Sequence, residues 1–314
     1  MDALPRRSLG SSGIEVSTLA LGSWRTYERI SREQGVAVMR AAQECGIAFL
    51  DDARYDDETG KAPIATGYSE VVFGELFRAA GWKRDEVVVA NKLWWEFWPE
   101  QSAAAELEAS LARMGFGYID VIYSFVAPDG PSVEEIVGSV GDLIDSGKAR
   151  AWGTGNWAPA DHSAAAEIAK AEGVPAPCAA QLPYSLALRS HVEPPEAVEA
   201  LDASGAAVVA SFVLHGGVLT GKYSTASAAG RMTDELDDPE LQPVLNAARS
   251  LEALAARLGT TAAALAIAFA LANTRVATVL FGATTPEQVA ENARAVALLE
   301  QLGPTTLAEL RAIM

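Results

Sequence analysis

A lysine closes a run of apolar residues in Val87-Val-Val-Ala-Asn-Lys92. Apolar neighbours withdraw its amine from water, which disfavours the charged form and predicts a lowered pKa. Two acids, Asp51 and Asp52, end the preceding apolar run, Ala48-Phe-Leu-Asp-Asp52. An acid at the end of one strand can reach a lysine at the end of the next. Such a pair polarises a neighbouring hydroxyl for proton transfer. The plain alternative is a solvated lysine at a strand end. Four large rings, Trp94, Trp95, Phe97 and Trp98, follow Lys92 directly, and exposing them all to water is costly. They either line a substrate pocket or pack under another loop, with the pocket favoured, and Trp24 is expected to face the same space.

Two further segments suit an anion. Gly217-Val-Leu-Thr-Gly-Lys222-Tyr223 offers backbone amides and one lysine to a pyrophosphate. Gly282-Ala-Thr-Thr-Pro-Glu-Gln288 is a glycine turn leading into a capped helix start. Taken singly, each is an ordinary glycine turn. His162, His191 and His215 stand apart, and Cys45 and Cys178 have no metal-like spacing, so neither a zinc site nor a Ser-His-Asp triad is expected.

Eight apolar runs position these residues. They are 16–22, 48–52, 86–93, 119–125, 149–155, 178–184, 207–214 and 276–282, apolar on both faces as strands covered by helices are. Amphipathic, Ala-rich helices lie between them. Ser31 with Gln34, Ser132 with Glu135, and Thr285 with Gln288 read as capping boxes. A helix of 245–258 stops at Gly259, Thr260 and Thr261 open another, and residues 9–16 read as a hairpin before the first strand. Eight strands alternating with helices in 314 residues predict one α/β domain over 1–314, a (β/α)8 TIM barrel with an N-terminal β-hairpin. A doubly wound sheet is disfavoured, because no GxGxxG follows the first strand. Two βα loops, 54–67 and 222–240, exceed a minimal barrel and belong to its C-terminal mouth.

The charge sum of 24 basic against 41 acidic residues, −17 in total, excludes nucleic acid and anionic membranes as partners. The start lacks the apolar core of a signal peptide, and the longest apolar stretch, 262–272, is too short to span a bilayer. A cytoplasmic monomer or homo-oligomer acting on a small molecule is expected.

The chain resembles the aldo-keto reductase superfamily along nearly its whole length. The matching stretches are LALGSW (19–24), GIAFLDDARY (46–55), Tyr68-Ser-Glu70, VVVANK (87–92) and SLARMGFGYIDVIY (110–123). Further on come Gly153-Thr-Gly-Asn156-Trp157, Gln181-Leu-Pro-Tyr184-Ser185, GGVLTGKY (216–223) and GATTPEQVAENARA (282–295). The resemblance implies reduction of a carbonyl by a nicotinamide dinucleotide, with a tyrosine, tuned by a lysine and an aspartate, supplying the proton. It assigns the aspartate to Asp51 and the lysine to Lys92. The tyrosine falls on Tyr55, one residue earlier than the family pattern, with Tyr68 as the alternative. Gly22, Asn156, Gln181, Leu214, Leu219 and Lys222 are implied in cofactor binding, as are Gly282, Thr284, Gln288, Glu291 and Asn292. NADPH is favoured and NADH stays open, because no base stands at 282, 283 or 288.

The family's histidine is expected five residues after Asp120, where this chain has Phe125. A phenylalanine donates no hydrogen bond to a substrate carbonyl. Three readings follow: a reductase of an apolar or aromatic carbonyl or carbonyl-like imine, a reductase of an imine or conjugated C=C that needs no such donor, and a cofactor-binding module with little turnover. No resident metal is expected.

Overall fold

The computed structural model describes residues 4–224 and 232–314. Two short antiparallel strands come first, β1 (Arg6–Ser8) and β2 (Glu15–Ser17), with Arg7 opposite Val16. Eight parallel strands then close a barrel: β3 (Leu19–Gly22), β4 (Phe49–Asp51), β5 (Val88–Leu93), β6 (Ile119–Phe125), β7 (Ala149–Gly155), β8 (Ala179–Pro183), β9 (Ala207–Ser211) and β10 (Val276–Phe281). Each pairs with its neighbours in sequence order, and β10 returns to β3 with Phe281 opposite Leu21. The expected (β/α)8 architecture is therefore present.

The barrel wall dictates where polar groups can go. Its inner cluster is built from small or flat side chains such as Ala20, Phe49, Ala90, Val121, Ala151 and Ala179. Leu9, Ile14 and Val16 of the hairpin join that cluster, so the hairpin stoppers the end of the barrel opposite the mouth. Gly10 (φ 54°) makes the fit, since a Cβ there would meet the Cys178 carbonyl oxygen. With one end stoppered and the interior filled, a ligand reaches the barrel from its C-terminal mouth.

Helices cover the outside: α1 (Arg32–Glu44), α2 (Tyr68–Ala80), α3 (Ala103–Met114), α4 (Val133–Asp145), α5 (Pro159–Glu172), α6 (Pro195–Ser204), α7 (Gln242–Leu258), α8 (Ala262–Leu271), α9 (Pro286–Gln301) and α10 (Pro304–Arg311). Ser31 and Ser132 form complete capping boxes with Gln34 and Glu135. Thr285 caps α9 through Gln288 N, but the Gln288 side chain turns to Thr284 N at 2.8 Å and leaves that box half made. Every residue of α8 is buried, which its alanines permit by letting neighbours approach closely. Among the described residues no single helix is long and apolar enough to cross a membrane.

Two strand expectations need correction. The run 16–22 is divided, its first residues pairing in the hairpin and Leu19–Gly22 in the barrel. The run 207–214 leaves the barrel at Ser211, where Phe212 takes a left-handed φ of 56°, so Leu214 sits in the turn that follows. The first extended loop, 54–67, is ordered by the Asp57 carboxylate, which accepts from Thr59 N at 2.9 Å and Ala62 N at 3.0 Å. Of the second, 222–240, residues 225–231 lie outside the described residues.

Candidate active site

Parallel pairing sets Asp51, the last residue of β4, beside Ala90, and carries β5 two residues further to Lys92. The Lys92 ammonium donates to Asp51 Oδ1 at 2.6 Å and to Tyr55 Oη at 2.7 Å. Gln181 Nε2, from β8 across the barrel, donates to Asp51 Oδ2 at 2.8 Å. The aspartate is thus held on both oxygens, and Lys92 is only 4% exposed. Tyr55 reaches the lysine because the loop after β4 folds back at once. Tyr55 N bonds to Ser69 Oγ at 3.3 Å, and Tyr55 O accepts from Gly67 N at 2.9 Å.

The expected lowering of the Lys92 pKa does not occur. Burial pushes the amine down, but the Asp51 carboxylate, seconded by Tyr55, outweighs it and holds the ammonium above its ordinary range. Burial raises the Tyr55 phenol and Lys92 pulls it only partly back, so the hydroxyl keeps its proton through neutral pH. The trio is a fixed charge pair with a proton-bearing phenol at its open end. Tyr68 plays no part in it, since its hydroxyl accepts from Arg32 at 3.0 Å beside α1. Asp52 accepts from Ser23 Oγ, while burial and the nearby Glu70 hold its carboxyl well above the usual range. Glu70 is itself held by Arg113 at 2.6 Å and Asn91 at 2.9 Å, bracing β5 against α2 and α3.

Beside Tyr55 lies a cleft of about 490 Å³ whose walls include Trp94, Trp95 and Trp98, together with Arg54, Glu96 and 126–129. Trp95 has a left-handed φ of 60°. That turn is anchored by Glu106 of α3, whose carboxylate accepts from Trp94 N at 2.9 Å and Trp95 N at 3.3 Å. The Trp95 indole donates to Ser124 Oγ at 2.9 Å, and its ring meets Trp98 edge-on at 5.7 Å. Trp94 stands between Tyr55 (6.1 Å) and Phe125 (4.6 Å).

Two pocket expectations are corrected here. Phe125 sits behind Trp94 and against Gly155, supporting the wall without bordering the cleft. Trp24 does not join the lining either; it is 39% exposed under the Arg25 guanidinium, 5.0 Å from its ring. Conversely, Arg54, Asp56, Glu96 and Asp129 border the cleft although none of them is expected to line it; Arg54 stands in the matching stretch 46–55 and Asp56 where the family pattern has its tyrosine. The one available signal was their place in βα loops.

The residues implied in cofactor binding surround the same mouth. Gly22 ends β3 in a tight place, since a Cβ would come 3.1 Å from the Leu280 side chain. Asn156, exposed at φ 58°, follows β7 and is pinned by its N–H to the Gln181 carbonyl at 3.0 Å. After β9 the turn over His215–Thr220 takes left-handed conformations at Gly216 (64°) and Gly217 (94°). A Cβ on Gly217 would strike the Lys222 side chain, so bare backbone and lysine share one concavity. Lys222 is exposed, and no described carboxylate pairs with it. These features fit a pyrophosphate, which needs backbone donors and an uncommitted cation. Gly282, Thr284 and Gln288 sit at the α9 start, with Glu291 half-buried. Leu219 and Asn292, implied in the same binding, are both buried. Leu214 is only partly covered.

A parallel barrel with an Asp-Lys-Tyr cluster at its mouth defines a class, and the family comparison agrees: a family model described as Aldo/keto reductase family matches residues 18–314. The chain belongs to the aldo/keto reductase family, a family of oxidoreductases that generally use NADPH. Among its relatives is a putative voltage-gated potassium channel subunit beta of Schizosaccharomyces pombe, 31% identical, the match covering 99% of this chain and 93% of that protein. Probable voltage-gated potassium channel subunits beta of Oryza sativa subsp. japonica and Arabidopsis thaliana are 29% and 28% identical, each match covering 98% of this chain and 96% of the relative.

Proposed function

We propose that this chain is an NAD(P)H-dependent reductase of a carbonyl, or a carbonyl-like imine, on an apolar or aromatic small molecule. The observation that carries this reading is the Tyr55 hydroxyl, 2.7 Å from a buried ammonium that is itself locked to Asp51. When bound, the reduced nicotinamide supplies the hydride. Tyr55 holds the proton that the reduced oxygen requires, and releases it into a site where Lys92 stabilises the phenolate left behind. Asp51 keeps Lys92 charged and in place. Gln181 steadies Asp51, and the indoles exclude water from the reacting face. Asn156, the 214–222 turn and the start of α9 orient the dinucleotide, with NADPH favoured.

Phe125 favours a second reading, a cofactor-holding subunit with little turnover, and it is the one to which the relatives' names as channel subunits add weight. Mixing the protein with NADPH and then with aldehydes, ketones, cyclic imines and enones separates the possibilities. Oxidation of NADPH by aldehydes or ketones supports carbonyl reduction. Oxidation by imines or enones alone selects the reductase that needs no donor. Fluorescence-detected binding without oxidation supports the subunit, and failure of both nicotinamides to bind overturns every version.

A further inference from the structure

The charge balance of the cleft points to its substrate. Arg54, the one basic residue in the lining, has both terminal nitrogens engaged: it pairs with Glu96 at 2.7 Å, donates to Thr66 at 2.9 Å and lies 3.9 Å from the buried Glu106. Its charge is more than matched from its own side. Asp56 and Asp129 border the same space, both exposed, and no described cation pairs with either. Besides Tyr55 and the apolar run 126–128, the remaining walls are three indoles, whose faces attract cations as well as apolar surface. A cleft with aromatic walls, two uncommitted carboxylates and no free base favours a cation and disfavours an anion.

From this we infer that the substrate is an aromatic or apolar molecule carrying a positive charge, an ammonium or iminium group, which Asp56, Asp129 and the indoles select. The inference rests on the reductase reading of the same site. It also accounts for Phe125. Trp94, in ring contact with both Tyr55 and Phe125, borders the cleft where Phe125 does not, so the wall beside Tyr55 offers an aromatic face where a hydrogen-bond donor would otherwise stand. A donor suits a neutral carbonyl oxygen. An aromatic face suits a cation, and a protonated iminium takes up hydride without needing a donor. The balance is complete in that case: hydride from the nicotinamide adds to the iminium carbon, the C=N π pair becomes the nitrogen lone pair, and the product is an amine with the oxidised nicotinamide.

The test uses two aldehydes of the same shape, 4-(trimethylammonio)benzaldehyde and 4-tert-butylbenzaldehyde, which differ by one charge. With NADPH, kcat/KM for the cation is expected to exceed that for its neutral isostere by roughly tenfold at low salt, as two nearby exposed carboxylates and a ring face allow. The ratio should shrink as ionic strength rises and fall towards one in the Asp56→Asn, Asp129→Asn double variant. A ratio of one or less in the unmodified protein, or one that neither salt nor the double variant changes, overturns the inference. Turnover of both aldehydes without charge preference leaves the reductase reading standing while this inference falls. If neither aldehyde is consumed, carbonyl reduction fails, and the inference is judged by indole fluorescence with phenyltrimethylammonium and tert-butylbenzene. Tighter binding of the cation sustains it, and equal binding overturns it.

Discussion

Replacing Phe125 by histidine restores the donor that the family resemblance places there, and the structure sets the size of the effect. The Phe125 ring is 4.6 Å from Trp94, and a Cβ built on Gly155 would fall 2.2 Å from it. A histidine ring is smaller, so it fits without overpacking. The lost aromatic pair costs about 0.5–1.5 kcal/mol of stability, a modest share of the roughly 5–15 kcal/mol that holds a protein folded. One positioned donor is worth on the order of 10²–10³ in rate. Trp94 stands between position 125 and the cleft, so only part of that gain is reachable, and at least a tenfold rise in kcat/KM for neutral aldehydes is expected. The assay is NADPH oxidation by absorbance, with benzaldehyde and a cyclic iminium run side by side. The iminium should show no comparable rise. An unchanged aldehyde rate in a variant that binds NADPH normally and melts within a few degrees of the parent refutes the reasoning.

Tyr55→Phe should lower carbonyl reduction by roughly 10²–10⁴ while NADPH still quenches indole fluorescence; equal loss of cofactor binding would place the effect elsewhere. Lys92→Met leaves Asp51 buried without its counter-charge, and such a loss typically destabilises by about 3–5 kcal/mol. Urea unfolding measures it, and a shift under about 1 kcal/mol would show the pair to be dispensable. His162 is buried between Thr154 and Ser204 at 2.9 and 2.8 Å, and burial lowers its pKa from 6.5 to about 4. Below pH 6.5 the unfolded chain takes a proton that the folded ring refuses, so stability falls through that window by up to about 3 kcal/mol. His162→Gln should flatten that part of the pH–stability curve, and a curve of unchanged slope would disprove the assignment.

The barrel and the Asp51–Lys92 pair were legible because both follow from strand order. Runs apolar on both faces predict parallel strands, and adjacent strands must bring their terminal residues together. Tyr55 was legible only as a choice between two tyrosines, since the path of a loop depends on bonds such as Gly67 N to Tyr55 O that no local pattern announces. The direction of the Lys92 shift was misread for a related reason. The sequence shows both the burial and an acid within reach, but only the 2.6 Å contact decides that the carboxylate outweighs burial. Trp24 and Phe125 failed as lining residues because position along a strand does not say which ring stands in front of another. The carboxylates of the cleft lie in loops where Asp and Glu are ordinarily solvated, so nothing in the sequence separates Asp129 from its neighbours, and Asp56 stands out only as the residue at the family's tyrosine position.

Closure of the barrel has a consequence for synthesis. Leu21 pairs with Phe281, 260 positions later in the chain. At about 5–20 residues per second, the edge of β3 waits roughly 13–50 s for its partner. Throughout that interval the nascent chain carries an open edge on the side of β3 away from β4, a surface that invites pairing with other strands. Aggregation during expression, more than the stability of the finished barrel, is where substitutions in Leu19–Gly22 should first be felt.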